Sequence, residues 1–273
     1  MTLSADDIDF GGNIERFSGF ADIYDKYRPQ PPAILADVLM RWAQLSRLRL
    51  VVDLGSGTGI STRYWAEHAE HVVGIEPTAD MRAQAEAQAS ATNITYRDGL
   101  SHQTGLAAHT VQIVACSQAL HWMEPHGTFK EAARILVPGG VFAACDYDWP
   151  PVTGNWETEQ AYEGCMRRVC DLEKDYRVRT PIMQWDKSGH LARMRESGHF
   201  RYIREITLHH EDTGNAERLI GLLMSQGAVM TLLKGGFREE QLGLPDFRAI
   251  VERTLGGELR PWVWCARVRA AIV

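Results

Sequence analysis

The stretch Val51-Val52-Asp53-Leu54-Gly55-Ser56-Gly57-Thr58-Gly59-Ile60 decides the fold. An aliphatic run that reads as a buried strand passes into three alternating glycines and then into a helical pattern. Glycines there permit a tight turn and a close approach of backbone to a ligand, and the first amides of the following helix point at it. The dinucleotide fingerprint GxGxxG requires glycine at position 60, where this chain has Ile60. The tight third-glycine packing of a nicotinamide site is therefore missing, which disfavours an NAD-dependent oxidoreductase. Downstream, Val73-Gly74-Ile75-Glu76-Pro77 ends a second strand in a carboxylate beside the first glycine turn. A carboxylate in that place can accept both hydroxyls of a ribose.

Outward from this loop, residues 48–54, 71–76, 93–97, 110–116 and 141–146 read as short buried strands. Between them, Met81, Ala85 and Ala89, and then Phe129, Ala133 and Leu136, fall at helical spacing. Strand–helix alternation with short links predicts right-handed crossovers and a parallel sheet covered on both faces. Ahead of it, Arg28-Pro29-Gln30-Pro31-Pro32 should end one helix near Tyr27 and let another start near Ala33. Beyond residue 150 the spacing predicts helices over 157–174, 184–197, 215–233 and 244–255 and a strand over 202–209. Trp262, Trp264, Ala266, Val268 and Ala270 alternate with period two, a final strand expected to pair with 202–209, leaving 210–260 as an insertion. The division expected is one domain over 1–273. It comprises an N-terminal helical cap segment (1–45), a ligand-binding core (46–150), a helical cap with one strand (151–260) and the final strand (261–273).

Composition limits the function classes. The chain has 273 residues, 45% hydrophobic and 23% charged, which excludes a disordered chain, a collagen and a coiled coil. A net charge of −6 argues against nucleic acid or an anionic membrane surface as the main partner. No stretch approaches the ~18 apolar residues of a membrane span. Asp6, Asp7 and Asp9 have no apolar run behind them, so no secretory leader is expected. The five cysteines contain no CxxC pair, and Cys116, Cys145 and Cys265 sit in strand-like runs. Neither a disulfide framework nor a zinc site is expected, and the cytoplasm is the expected location. His209 and His210 are neighbours on a strand and point to opposite faces, so they do not suggest a metal. The run Arg167, Arg168, Lys174, Arg177, Arg179 is interleaved with acids and reads as a solvated helix face.

Taken as a set, three features resemble the class I S-adenosylmethionine-dependent methyltransferases: Asp53-Leu54-Gly55-Ser56-Gly57-Thr58-Gly59, Glu76, and Val137-Pro138-Gly139-Gly140 before a strand. Gln118-Ala119-Leu120-His121-Trp122, Glu131-Ala132-Ala133-Arg134-Ile135-Leu136 and Tyr24-Asp25-Lys26-Tyr27-Arg28-Pro29 narrow the likeness to the type 11, trans-aconitate methyltransferase-like small-molecule branch. It covers roughly residues 17–148. The fold so implied is Rossmann-like α/β, a doubly wound, mostly parallel sheet with an antiparallel final strand and a helical cap.

The resemblance implies S-adenosylmethionine as cofactor. Gly55, Ser56 and Gly57 would pass under its methionine and ribose, Asp53 would steady the loop or the amino group, and Glu76 would hold the ribose hydroxyls. Pro77 and Met81 would flank the adenine, Met81 being equally readable as core. The loop Asp98-Gly99-Leu100-Ser101-His102 would contact the adenine, with Asp98 substituting for a family Glu at position 102. Ser117 and Gln118 would meet the methionine moiety. Tyr24, Tyr27 and Arg28 would fold over the cofactor, Arg28 gripping a carboxylate or serving as an ordinary surface arginine.

Methyl transfer from a sulfonium needs positioning, desolvation and, for some acceptors, a base. His121 is the candidate base, with packing of the loop by His121 and Trp122 as the competing reading. Trp122, Asp146, Asp148 and Trp149 would face the acceptor, as would Ser225 and Gln226, which interrupt an apolar stripe. Tyr147 after the fifth strand belongs to the same region. The abundant leucines of 210–260 would form a lid, a homodimer interface or core under the final strands. The function implied is methylation of a small molecule, foremost at oxygen. A non-methylating cofactor-binding protein and a protein methyltransferase are the alternatives.

Overall fold

The computed structural model describes residues 8–177 and 182–273; Asp6, Asp7, Arg179 and the side chain of Arg177 lie outside the described set. Seven strands form one sheet: β1 (Leu48–Leu54), β2 (Ala69–Ile75), β3 (Ile94–Arg97), β4 (Val111–Ser117), β5 (Leu136–Tyr147), β6 (Tyr202–Gly214) and β7 (Arg260–Ile272). Their order is β3-β2-β1-β4-β5-β7-β6. The first five run parallel, and β7 lies antiparallel between β5 and β6. This is the Rossmann-like α/β sheet expected, with the final strand paired to the 202 strand in the register Tyr202↔Ile272 to Gly214↔Arg260.

Alternate residues of the central strands feed two cores, as a parallel sheet covered on both faces requires. Val51, Ile113, Val141 and Ala143 pack with Leu35, Leu39 and Trp65 on one side. Val52, Leu54, Val114 and Phe142 pack with Phe129, Ile135 and Met194 on the other. Among the described residues, three short helices precede the sheet: α1 (Gly11–Phe17), α2 (Ala21–Tyr27) and α3 (Leu35–Trp42). The crossovers carry α4 (Ile60–Ala66), α5 (Ala79–Gln88) and α6 (Pro125–Ile135). Between β5 and β6 lie α7 (Trp156–Arg177) and α8 (His190–Glu196). Between β6 and β7 come α9 (Ala216–Met224), α10 (Gly227–Lys234), α11 (Glu239–Leu242) and α12 (Leu244–Leu255).

Several expectations need correction. The helix read over 215–233 is two, α9 and α10, because Gln226 is extended while Ser225 turns its hydroxyl back onto the Leu222 carbonyl at 2.7 Å. The helix read over 184–197 shrinks to α8: the Trp185 amide is taken by the His121 carbonyl at 2.9 Å, and Asp186 caps a single turn over Lys187–Gly189. Val137-Pro138-Gly139-Gly140 belongs to β5 rather than preceding it. β6 runs on to Gly214, so the insertion begins later than expected.

Leu219, Leu222, Leu223 and Leu232 are fully buried in the core that contains Trp262 and Trp264. Such leucines contribute roughly 1.5–3 kcal/mol each, so four of them rival the net stability of an ordinary domain. A lid that exposed this face would cost on the order of the net stability of the whole fold. Of the three readings of this segment, the structure supports core. Among the described residues, no helix is long and apolar enough to cross a membrane, and no group of His, Cys, Asp and Glu side chains is placed to hold a metal. All five cysteines are free thiols.

Candidate cofactor and acceptor site

The chain order reverses between β1 and β4, and the crevice beyond their C-terminal ends is where open α/β sheets bind ligands. Gly55 follows β1 there, and Ser117 ends β4. Gly55 and Gly57 take φ of +65° and +53°, a backbone conformation that side chains disfavour. A Cβ on Gly55 would lie 2.6 Å from Met123 Cε, whereas one on Gly57 would meet nothing within 4 Å and point into open space. The loop is anchored by the Gly55 and Ser56 amides, which donate to the Ile75 carbonyl at 2.8 and 3.1 Å.

Glu76 leaves β2 directly beside this loop and is buried. Its carboxylate accepts the Gly57 amide at 2.9 Å on Oε2 and the Thr78 amide at 2.9 Å on Oε1. Burial raises its pKa above the ordinary range, although both amide bonds oppose the shift. Each oxygen retains a lone pair for a hydroxyl donor. Glu76, Gly55, Gly57, Pro77, Met81, Gly99, Leu100, Ser101 and Ser117 line one cavity of about 790 Å³, counting its mouth. Its walls combine the apolar Met81 and Leu100 with the acceptor oxygens of Glu76. A smaller continuation under Tyr24 and Arg28 is walled by Ser56, Ser117 and Gln118.

One expected cofactor contact turns elsewhere, and another lies beneath the loop. Asp98 does not line the cavity; it is largely exposed and pairs with Arg82 at 2.8 Å. Asp53 is fully buried beneath the loop, accepts the Thr62 hydroxyl at 2.7 Å and so fastens α4 to β1. Burial without a countercharge pushes its carboxyl up to about 7.

A second cavity, about 1000 Å³ with its mouth, shares Phe17, Tyr24, Gln118 and Trp122 with the first. His121 lines it from the single turn after β4, buried, with its ring 4.7 Å from that of Trp122. Its Nδ1 has no hydrogen-bond partner among the described residues and lies 4.0 Å from Asp146 Oδ1. Burial, reinforced by Lys187, His190, Arg16 and Arg28, holds the imidazole pKa well below its usual value, so the ring is neutral. Asp146 does not line the cavity; it is clamped by Lys187 at 2.8 Å and by Arg269 at 3.1 Å. Trp149 and Gln226 line the cavity, but Ser225 lies buried under Arg28 and Asp148 turns away to Arg267 at 2.9 Å.

Arg28 stands where the cavities meet, its guanidinium 4.7 Å from the Tyr24 ring and 4.6 Å from that of Trp149. It donates to the Ser225 hydroxyl and carbonyl, both at 2.8 Å, and to Gln226 Oε1 at 3.0 Å. This arginine is therefore a strut between the N-terminal segment and the α9–α10 break rather than a loose surface cation. The sequence reading missed Phe10, Asn13, Ile14 and Phe17, which α1 and its cap residue bring to the first cavity. The spacing of Phe10, Ile14 and Phe17 was a signal for it. Nothing in the sequence pointed to Arg16 and Glu173, whose buried ion pair joins α1 to α7, or to Lys187.

Residues 52–144, the segment carrying this loop and His121, match the family model described as a methyltransferase domain. That segment is thus similar to a methyltransferase domain. An uncharacterized methyltransferase of Mycobacterium tuberculosis is 32% identical over 124 residues, 45% of this chain and 49% of that protein. A probable S-adenosylmethionine-dependent methyltransferase of Saccharomyces cerevisiae is 27% identical over 46% of this chain and 45% of its own length. The chain thus spans about half the length of these curated relatives. The solved structure of a type II methyltransferase candidate from Anaeromyxobacter dehalogenans superposes with a TM-score of 0.62 at 22% identity, covering 90% of this chain and 98% of that one. Outside the matched segment, the sheet and its helices are extended by α1–α3 before it and by α7–α12 with β6 and β7 after it.

Proposed function

We propose that this protein transfers a methyl group from S-adenosylmethionine to a small molecule, foremost at oxygen. The observation that carries the reading is the buried Glu76 carboxylate beside the positive-φ Gly55 and Gly57 at the sheet's switch point, within a segment matching a methyltransferase domain. The residues present fit the cofactor. Gly57 opens onto the cavity, Glu76 offers two acceptors, and the buried Ser56 hydroxyl has no partner among the described residues.

When bound, S-adenosylmethionine supplies a methyl group already activated on a sulfonium. Glu76 would hold the ribose hydroxyls, Pro77 and Met81 would flank the base, and Tyr24 with Arg28 would close over the methionine end. Gln118, which lines both cavities, would help define the line along which acceptor and donor meet. His121, neutral and buried in the acceptor cavity, would take the proton of a hydroxyl acceptor. The roofing of that cavity by α1, α7 and α10 favours a small acceptor over a polypeptide.

Calorimetric titration with S-adenosylmethionine and S-adenosylhomocysteine, with NADH as control, tests the reading. Binding of the sulfur nucleotides alone is expected. Absence of binding by either nucleotide overturns it, and binding without transfer of labelled methyl to any acceptor favours a non-methylating role.

A further inference from the structure

The acceptor cavity has three properties that restrict its occupant beyond a small molecule. First, its walls are flat and aromatic: Phe17, Tyr24, Trp122 and Trp149 line it. These rings are fixed by their own contacts. Trp149 stacks on Tyr162 with centroids 6.4 Å apart and meets Trp264 edge-on at 5.0 Å, while Phe17 meets Trp122 edge-on at 5.3 Å. Fixed aromatic walls favour a planar aromatic ring over a saturated one of similar size.

Second, cations converge on His121. Arg16, Arg28 and Lys187 line the same cavity, and all three act on its imidazole. Arg16 and Lys187 have carboxylate partners in Glu173 and Asp146. Arg28 hydrogen-bonds to the neutral Ser225 and Gln226, and its guanidinium lies against the faces of Tyr24 and Trp149. An ammonium acceptor is disfavoured beside these groups, and an oxyanion is favoured.

Third, the titratable ring lining the cavity is the His121 imidazole, neutral and therefore a proton acceptor rather than a fixed positive charge. A carboxylate acceptor is already ionised at neutral pH and has no use for it. A hydroxyl on an aromatic ring, with a pKa near that of tyrosine at about 10, does.

We propose, building on the methyltransferase reading, that the acceptor is a hydroxyaryl compound, bound with its ring among Tyr24, Trp122 and Trp149 and its hydroxyl at His121. In the step, the aryl O–H bond breaks and the proton passes to the imidazole. The O–CH3 bond forms as the S–CH3 bond of the donor breaks, the donor leaves as a neutral thioether, and the imidazolium returns its proton to solvent.

The test uses the full chain with bound S-adenosylhomocysteine, titrated with 4-nitrophenol, cyclohexanecarboxylate and benzylamine. The expected result is that 4-nitrophenol binds at least about tenfold more tightly than the other two, a difference of about 1.4 kcal/mol. Its visible absorption should shift toward the phenolate band on binding, a signature that stacking without the cations does not give. With S-adenosylmethionine and labelled methyl, the label should appear on the phenol oxygen. Trp149→Ala should lose the 4-nitrophenol preference while retaining S-adenosylhomocysteine binding; should that variant not fold, Trp149→Leu, which keeps bulk without an aromatic face, serves instead. Equal or tighter binding of the carboxylate or the amine, binding of none of the three, or label only on the carboxylate overturns the hydroxyaryl assignment while leaving methyl transfer intact. Failure of the protein to bind S-adenosylhomocysteine at all overturns the methyltransferase reading and this inference with it.

Discussion

Replacing Glu76 with glutamine probes the proposed cofactor site while keeping the side chain's length. The native carboxylate receives two backbone amides, Gly57 on Oε2 and Thr78 on Oε1, each at 2.9 Å. Glutamine has one carbonyl oxygen, so its NH2 must face the other amide, donor against donor. A buried N–H left in that state costs about 1–3 kcal/mol. On the ligand side, a hydroxyl bonded to a charged group contributes ~1.5–3 kcal/mol, and one of two such bonds is lost. At 1.4 kcal/mol per decade, the dissociation constant for S-adenosylhomocysteine should rise roughly 10- to 100-fold. Calorimetry measures this directly, and the unliganded variant should also unfold at a lower temperature. The pH dependence gives a second check. Burial raises the Glu76 carboxyl above the ordinary range, so the charged form is lost earlier as pH falls. Wild-type affinity should therefore decline with acidification from above the usual carboxylate range, and the glutamine variant should show no such decline. A folded variant that binds within about threefold of wild type, under 1 kcal/mol, refutes the ribose assignment.

Other outcomes are expected. His121→Asn should lower turnover ~10²- to 10⁴-fold in a labelled-methyl assay with little change in S-adenosylhomocysteine binding; equal loss of both would return His121 to a packing role. Because burial keeps that imidazole neutral, the wild-type rate should persist as pH falls through the usual histidine range, and a limb centred at ~6.5 would contradict the environment described. Gly55→Ala places a Cβ 2.6 Å from Met123 Cε and 2.7 Å from Ala119 Cβ at a φ of +65°, so calorimetry should show weaker nucleotide binding with the fold retained by circular dichroism. Asp53→Asn keeps the acceptor for Thr62 and removes a charge held at a pKa of about 7. A folded-state pKa raised above the unfolded value means stability lost as pH rises through it, so the variant's thermal advantage should be larger at about pH 8 than at about pH 5. An advantage independent of pH would show that Asp53 is not the group responsible.

The core strands, the glycine turn and the carboxylate after β2 were legible in the sequence because their causes are local. Aliphatic runs make strands, positive-φ positions select glycine, and strand–helix alternation selects a parallel sheet. The period-two pattern of Trp262 to Ala270 likewise identified β7 and its partner. Helix limits failed where distant groups compete for the backbone, as at Trp185, whose amide is taken by His121, and at Ser225–Gln226, where Arg28 docks. Residue type alone also could not tell which acids face the ligand. Asp98 and Asp148 are drawn off by Arg82 and Arg267, whereas Glu76 is held inward by two amides. The second cavity was legible in part, through His121, Trp122, Trp149 and Gln226, but its charged lining was not. Arg16 from α1, His121 after β4, Glu173 from α7 and Lys187 before α8 meet only when the chain folds. Sequence determines which groups a segment can offer; burial and long-range pairing decide which of them remain free for a ligand.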